Sequence, residues 1–340
     1  MKLPSPHHSL HERSPPLPLR GRGTIASLRD RRSQGGVALI VALLVVALAT
    51  VLIAGLLDRG ELAQARVRND VREAQAFAYA DGVEAYAARV LAQAAASGEN
   101  SDSANSSWAV PLPPLPVPGG MLSASMRDRN GCFNLNNLVD ERGQASAIWL
   151  PKFQRLLRAL KLDENLANAV VDWMRPTPSP DERYYLQQEP PYRPAQRGFT
   201  HMSELRLVRG VSAEVYARLA PEACALPRGT AINVNTASVA VLMTLSSTMT
   251  EQAAKAIAQE GHANFASIEE VRKRVPGIDC GGSAILLNNC YDVRSTYFVT
   301  RGDVQIDGLP FTFYSLIERN LNGGAGAGLR VVERGRGDEW

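Results

Sequence analysis

A chain of 340 residues with 45% hydrophobic side chains carries enough apolar material for a folded core, which excludes a wholly disordered or fibrous protein. Its 37 Lys and Arg against 34 Asp and Glu leave a net charge of +3. Seven of the basic residues and only two of the acidic ones precede residue 37, so the remainder is mildly acidic and composition offers no argument for a nucleic-acid partner.

The first 36 residues are Pro-rich and polar and carry Lys2, Arg13, Arg20, Arg22, Arg29, Arg31 and Arg32. They read as a disordered leader. Residues 37–57 are uncharged and apolar, and at the helical rise they extend roughly 30 Å, the thickness of a bilayer's hydrocarbon core. A cleavable secretory signal has a shorter apolar region with small residues after it; here the small pair Gly35-Gly36 stands before the run. An uncleaved single-pass anchor is the competing interpretation. The excess of positive charge ahead of the run places the leader in the cytoplasm and the rest of the chain outside.

Helical periodicity continues from residue 61, with Phe77, Val83, Tyr86, Ala87, Val90 and Leu91 forming one apolar stripe. The turn-forming stretch "SGENSDSANSS" ends it. "WAVPLPPLPVPGG" is too rich in proline for a central strand, and "MLSASMRD" and "CFNLNNL" read as short strands. From Ile148 the pattern turns helical through "AIWLPKFQRLLRALKL" and "DENLANAVVDWM". A long loop, 175–198, follows, and loops of that length are usually functional. Shorter helices and the strand or turn "AINVNTA" lead to a β-rich end in "YDVRSTYFVTRG", "DVQIDG", "LPFTFYSLIERN" and "LRVVER". Strands on both sides of a helical block predict an α+β protein with a helical insertion.

The four cysteines, Cys132, Cys224, Cys280 and Cys290, all lie on the side assigned to the exterior, where two disulfides are expected. Cys280 and Cys290 flank a short Gly-rich loop and form the better-supported pair, with Cys132–Cys224 as the remainder. No G-x-S-x-G, phosphate loop or H-E-x-x-H motif occurs, and His201 and His262, the only histidines beyond the leader, read as surface or capping residues. No enzymatic activity is expected. The carboxylates Asp172, Asp181, Glu182 and Glu189, in or beside the long loop, are candidate ligands for a hard cation, with a solvated loop as the alternative.

In order and spacing, "RRSQGGVALIVALLVVAL", "CFNLNNL", "VVDWM", "YYLQQEPPYRP", "FTHMSELRLVRGVSAEVYARL" and "AINVNTA" resemble the minor pseudopilin K family of type II secretion systems, a branch of the type IV pilin-like proteins. The resemblance spans residues 33–319. It implies an α+β, type IV pilin-like fold: a long N-terminal helix on a small antiparallel sheet, with a large, mostly helical insertion. The implied division is a cleaved leader (1–36), a transmembrane and filament helix (37–57), an amphipathic helix with the first strands (58–147), the insertion (148–290) and C-terminal strands (291–334). It further implies cutting by a prepilin peptidase between Gly36 and Val37, methylation of the new terminus, and a place in the inner membrane with the C-terminal part in the periplasm. Expected partners are the minor pseudopilins I and J, the major pseudopilin, the prepilin peptidase, the secretin and secreted substrates. Most pilin-like subunits carry Glu at the fifth mature position; here it is Val41, which suits a subunit with none above it, at the tip of the pseudopilus. Relatives bind calcium near the "DW" pair. In this chain Arg175 and Thr177 follow Asp172-Trp173, and Gln196 stands where Asn is usual, so the resemblance carries calcium over only in part.

A rival resemblance joins "INVNTASVAVLMTLSSTMTEQAAKAIAQEGHANFASIEEVRKRVPGI" and "FTHMSELRLVRGVSAEVYARL" to tandem helix-hairpin-helix modules that grip the DNA backbone. It implies a membrane-anchored DNA-binding or DNA-uptake protein. Such modules present backbone amides from a Gly-containing hairpin; "LSSTMT" lacks the Gly, and few basic residues flank Gly210.

Overall fold

The computed structural model describes residues 35–176, 179–275, 277–280, 290–320 and 328–337. The leader up to residue 34, Thr177, the Gly-rich segment between Cys280 and Cys290, and most of "NGGAGAG" lie outside the described residues. Contacts divide the chain into two units, residues 1–68 and 69–340.

Helix α1 occupies Gly35–Ala96. In the first unit its apolar side chains face outward all round: Val37 is 63% exposed and Val51 69%. A helix apolar on every side has no soluble partner surface of its own. Its most apolar window has a mean hydropathy of 3.2, long and apolar enough to cross a membrane.

In the second unit α1 becomes amphipathic and lies on a five-stranded antiparallel sheet. The strands are β1 (Leu112–Val117), β2 (Gly120–Asp128), β7 (Tyr297–Ile306), β8 (Leu309–Arg319) and β9 (Leu329–Arg336), in the order β1-β2-β7-β8-β9. Proline-rich β1 takes an edge, where missing amide donors cost least. Asp307 and Gly308, both at positive φ, form the two-residue connection between β7 and β8, the backbone that an Asp-Gly hairpin requires. Gly120 has no alternative residue, since a Cβ there would lie 1.6 Å from the Gln305 carbonyl oxygen.

The helix face that meets the sheet shares Val83, Ala87 and Leu91 with the expected stripe but not Phe77 and Tyr86. Ala76, Val83, Ala87, Leu91 and Ala94 are buried, while Phe77 and Tyr86 remain 42% and 41% exposed. Small side chains let helix and sheet approach closely; a Cβ on Gly302 of β7 would meet Val83 at 3.2 Å. Phe77 flanks the contact, its ring 5.3 Å from that of Phe313. Near its C-terminal end, Ala87 and Leu91 pack with Trp108, Met126, Phe298 and Ile317, whereas Ala76 packs near Ile306 and Phe313 at the other end of the strands.

β2 and β7 pair directly, Asp128 opposite Phe298, so residues 129–296 form one excursion from between two neighbouring strands. This begins earlier than the boundary expected at 148: Phe133, Leu135 and Leu138 belong to the insertion's own core. It also ends later, because Tyr291–Asp292 (β6) pairs with Ile232–Asn233 (β5) inside the insertion. A second parallel pair joins β3 (Phe133–Asn134) to β4 (Ala223–Cys224). The helices are α2 (Trp149–Ala159), α3 (Leu166–Met174), α4 (Glu182–Leu186), α5 (Ala213–Leu219), α6 (Val239–Leu242), α7 (Glu251–Ala258) and α8 (Ile268–Arg274). Fully buried Lys152 ties α2 to the end of the excursion, its Nζ donating to the Asp279 carbonyl at 2.7 Å and the Tyr291 hydroxyl at 2.6 Å. Cys132–Cys224 and Cys280–Cys290 are both disulfide-bonded.

Candidate functional site

Three regions carry the residues singled out by sequence. The first is the junction segment. Val37 and Val41 stand on α1, 63% and 53% exposed, and beyond the helix's own backbone and chain neighbours nothing lies within 4 Å of where a Cβ on Gly36 or Gly55 would be. The segment presents a continuous apolar cylinder, suited to lipid tails or to other apolar helices.

The second region is the seam where the insertion leaves the sheet. Here sequence reading saw strand fragments but missed the polar residues that fasten them. The Asn130 side-chain oxygen accepts from the Thr296 and Tyr297 amides at 3.1 and 2.9 Å, and its amide donates to the Ala231 carbonyl. Asn233 donates to the Asp102 carbonyl and the Ser295 hydroxyl. The Asp102 carboxylate accepts from Trp108, from the Ser295 amide and from Arg319. Burial pushes the Asp128 carboxyl up to about 6, against the hydrogen bonds from Thr236 and the Asn130 amide.

A similar device explains "CFNLNNL". Asn134 accepts from the Leu226 amide, Asn136 bonds both the amide and the carbonyl of Phe199, and Asn137 accepts from the Gly229 amide. A primary amide carries donors and an acceptor, so each asparagine satisfies buried backbone that no long strand pairs. The only signal in the sequence is the density of asparagine in an otherwise apolar stretch.

The third region is the carboxylate loop. Leu166–Met174 presents Asp172 beside a cavity of about 420 Å³, whose lining includes Asp163, Asn168, Asp181, Arg209 and Gly210. The structure thus brings Asp172 and Asp181 to one cavity; Glu182 and Glu189 do not line it, and Glu189 is exposed. Asp181 and Asp172 each face a guanidinium: Arg209 Nη1 is 2.5 Å from Asp181, and Arg175 Nη1 is 3.5 Å from Asp172. Burial raises the Asp172 carboxyl, with Arg175 opposing and Asp181 adding to the rise. Among the described residues no three His, Cys, Asp or Glu side chains converge to hold a metal. Calcium takes six to eight oxygens, so this donor set, already met by two arginines, does not fit it.

His201 caps the helical turn Met202–Leu207, accepting from the Ser203 amide while Glu204 accepts from the His201 amide.

Residues 131–228, which contain the asparagine ladder and the carboxylate loop, match the family described as type II secretion system (T2SS), protein K. Relatives named type II secretion system protein K extend further. One from Pseudomonas aeruginosa is 34% identical over 91% of this chain and 98% of its own length. One from Aeromonas hydrophila is 31% identical over 79% and 88% respectively. The fold is similar to a chain of the GspK–GspI–GspJ complex from enterotoxigenic Escherichia coli, with a TM-score of 0.69, 24% identity, and coverage of 81% of this chain and all of that one. That likeness supports a pilin-like α+β architecture for the described residues. With two near-full-length relatives above 30% identity, the chain belongs to the type II secretion system protein K family.

Proposed function

We propose that this chain is the minor pseudopilin at the tip of a periplasmic pseudopilus, where it helps initiate assembly for protein export across the outer membrane. The observation that carries this reading is where the insertion emerges. It leaves the sheet at Asp128 and Tyr297, the end covered by the last turns of α1, where Leu91 packs on Phe298. The opposite end lies under Ala76, toward the start of the amphipathic helix. A mass so placed covers the end of the sheet beside the last turns of α1 and would obstruct a subunit packed on that end. Val41 supports the same reading, because a fifth residue without charge does not neutralise a neighbour's terminal amine in an apolar bundle.

In this reading a prepilin peptidase cuts between Gly36 and Val37, the new terminus is methylated, and residues 37–57 anchor the chain in the inner membrane before entering the filament. Minor pseudopilins I and J pack beside α1, the major pseudopilin follows below, and the secretin and secreted proteins meet the exposed insertion. The chain has no catalytic role.

Co-purification in detergent of the full-length chain with its I and J partners should give one stoichiometric species by size exclusion. Mass spectrometry of the mature chain should begin at Val37, and gold-labelled protein should sit at one end of each pseudopilus. Separate elution, or label distributed along the shaft, would overturn the tip assignment.

A further inference from the structure

The carboxylate loop is tied back on α3 by contacts that need no ion. The Gln196 amide donates to the Trp173 carbonyl at 2.9 Å, and Ser179 donates to the Asp172 carbonyl. Tyr185 stacks edge-on to Trp173 at 5.3 Å, and the Tyr192 hydroxyl donates to the Leu207 carbonyl. Against this frame Arg209 is held in place three ways. Its backbone amide donates to the Tyr185 hydroxyl at 3.2 Å, its guanidinium lies 5.3 Å from the centre of the Tyr184 ring, and Nη1 reaches Asp181 at 2.5 Å. The Asp181 side chain is 12% exposed, so its charge needs a local counter-charge. Asp172, 16% exposed, has Arg175 one helical turn away.

We propose that the Asp181–Arg209 and Asp172–Arg175 ion pairs supply in this chain the positive charge that a divalent cation would bring, so that the 175–198 loop is fastened without metal. Bound calcium would set a double charge beside a guanidinium already in contact with Asp181, and the mutual repulsion would oppose entry. Arg suits the position because its planar fork can stack on Tyr184 and meet a carboxylate together.

The test uses the full-length chain in detergent, stripped with chelator and returned to either millimolar calcium or chelator. The wild-type melting temperature should be the same in both, and dialysed protein should hold no stoichiometric calcium by elemental analysis. Arg209→Gln exposes the charge of Asp181. It should be cut by trypsin within the loop, at Arg183 and Arg197, about fivefold faster in chelator, the scale of one ion pair's local stability. Calcium should slow that cutting. Arg209→Lys keeps the charge and should recover part of the protection. Should Arg209→Gln fail to fold, Asp181→Asn in Arg209-intact protein gives the second measurement: faster cutting in chelator with no response to calcium. A wild-type melting point that climbs several degrees with calcium overturns the proposal, as does Arg209→Gln cut at the wild-type rate in both buffers.

Discussion

β2, β7 and β8 exchange hydrogen bonds residue by residue, from Gly120 opposite Ile306 to Asp128 opposite Phe298 and from Ile306 opposite Leu309 to Tyr297 opposite Glu318. Within 129–296 no described strand is longer than two residues, and buried loops are closed by asparagine amides and two disulfides. In the sheet half the backbone satisfies itself, so side chains are free to pack. In the insertion, side chains take over the backbone's hydrogen bonds, and each such residue is individually costly to lose. The sheet half should therefore tolerate single polar substitutions, and the insertion should not.

The largest effect expected is on the longer disulfide. Cys132–Cys224 closes a separation of 92 residues and Cys280–Cys290 one of 10. The loop-entropy account gives about 4.5 kcal/mol for the first and about 3 kcal/mol for the second. Urea unfolding of the paired alanine variants checks the order, and equal losses would mean that chain entropy does not govern the difference. Thiol labelling of the native protein should find all four cysteines unreactive.

Asn136→Ala comes next. Its side chain bonds the Phe199 amide and carbonyl and the Leu226 carbonyl, all buried. Leaving these groups unpaired costs about 3–5 kcal/mol in total. Hydrogen exchange should show lost protection near residues 199–227 while β7 and β8 stay protected. Protection lost evenly across both would show that the two halves unfold as one.

What could be read from sequence divides along the same line. The apolar segment, the amphipathic helix, the edge position of the proline-rich strand and the β-rich end follow from composition and periodicity, which act within a few residues. Of the expected stripe on α1, Val83, Ala87 and Leu91 do face the sheet; Phe77 and Tyr86 do not, because large rings weigh heavily in any apolar stripe whereas close contact with the sheet favours the small Ala76. The insertion's true limits were hidden because two-residue strands have no period. At the candidate site, the carboxylates of the long loop were visible as a cluster. Their arginine partner was not, since Arg209 lies 28 residues from Asp181 and nothing in spacing joins them.

The seam between the halves offers a pH test. The Asp128 carboxyl, ordinarily at 3.8, is pushed by burial to about 6. The folded state therefore binds the proton more tightly than the unfolded one, and stability from this group is full below about pH 4 and lost as pH rises to about 6. The change amounts to about 3 kcal/mol. Asn can keep both the Thr236 and the Asn130 contact, so Asp128→Asn should flatten that part of the stability curve. An unchanged slope between pH 4 and 6 would show that Asp128 is not the group responsible.

The smallest effect belongs to the sheet half and has the opposite sign. Glu84 of α1 is 9% exposed, and its carboxylate accepts from Arg334 of β9 in a bidentate pair at 2.7 Å and from Ser315 of β8 at 2.5 Å. Burial alone would raise its carboxyl, but Arg334 and Ser315 outweigh it and hold Glu84 below the usual range. A lowered carboxylate contributes stability that is present above the unfolded value of 4.5 and is lost as pH falls through the folded value. Because Arg334 is 64% exposed, solvent screening leaves the pair worth about 1 kcal/mol or less. Arg334→Gln should lower stability by that amount at neutral pH and by nothing at acid pH, where wild type and variant converge. The loss should shrink as salt is added. Asp128→Asn relieves a buried charge and Arg334→Gln leaves one behind, so below neutral pH the two variants' difference curves should run in opposite directions. If instead Arg334→Gln cost several kcal/mol, a single polar contact would be as critical in the ladder-built half as Asn136 is in the insertion, and the contrast between the halves would not hold.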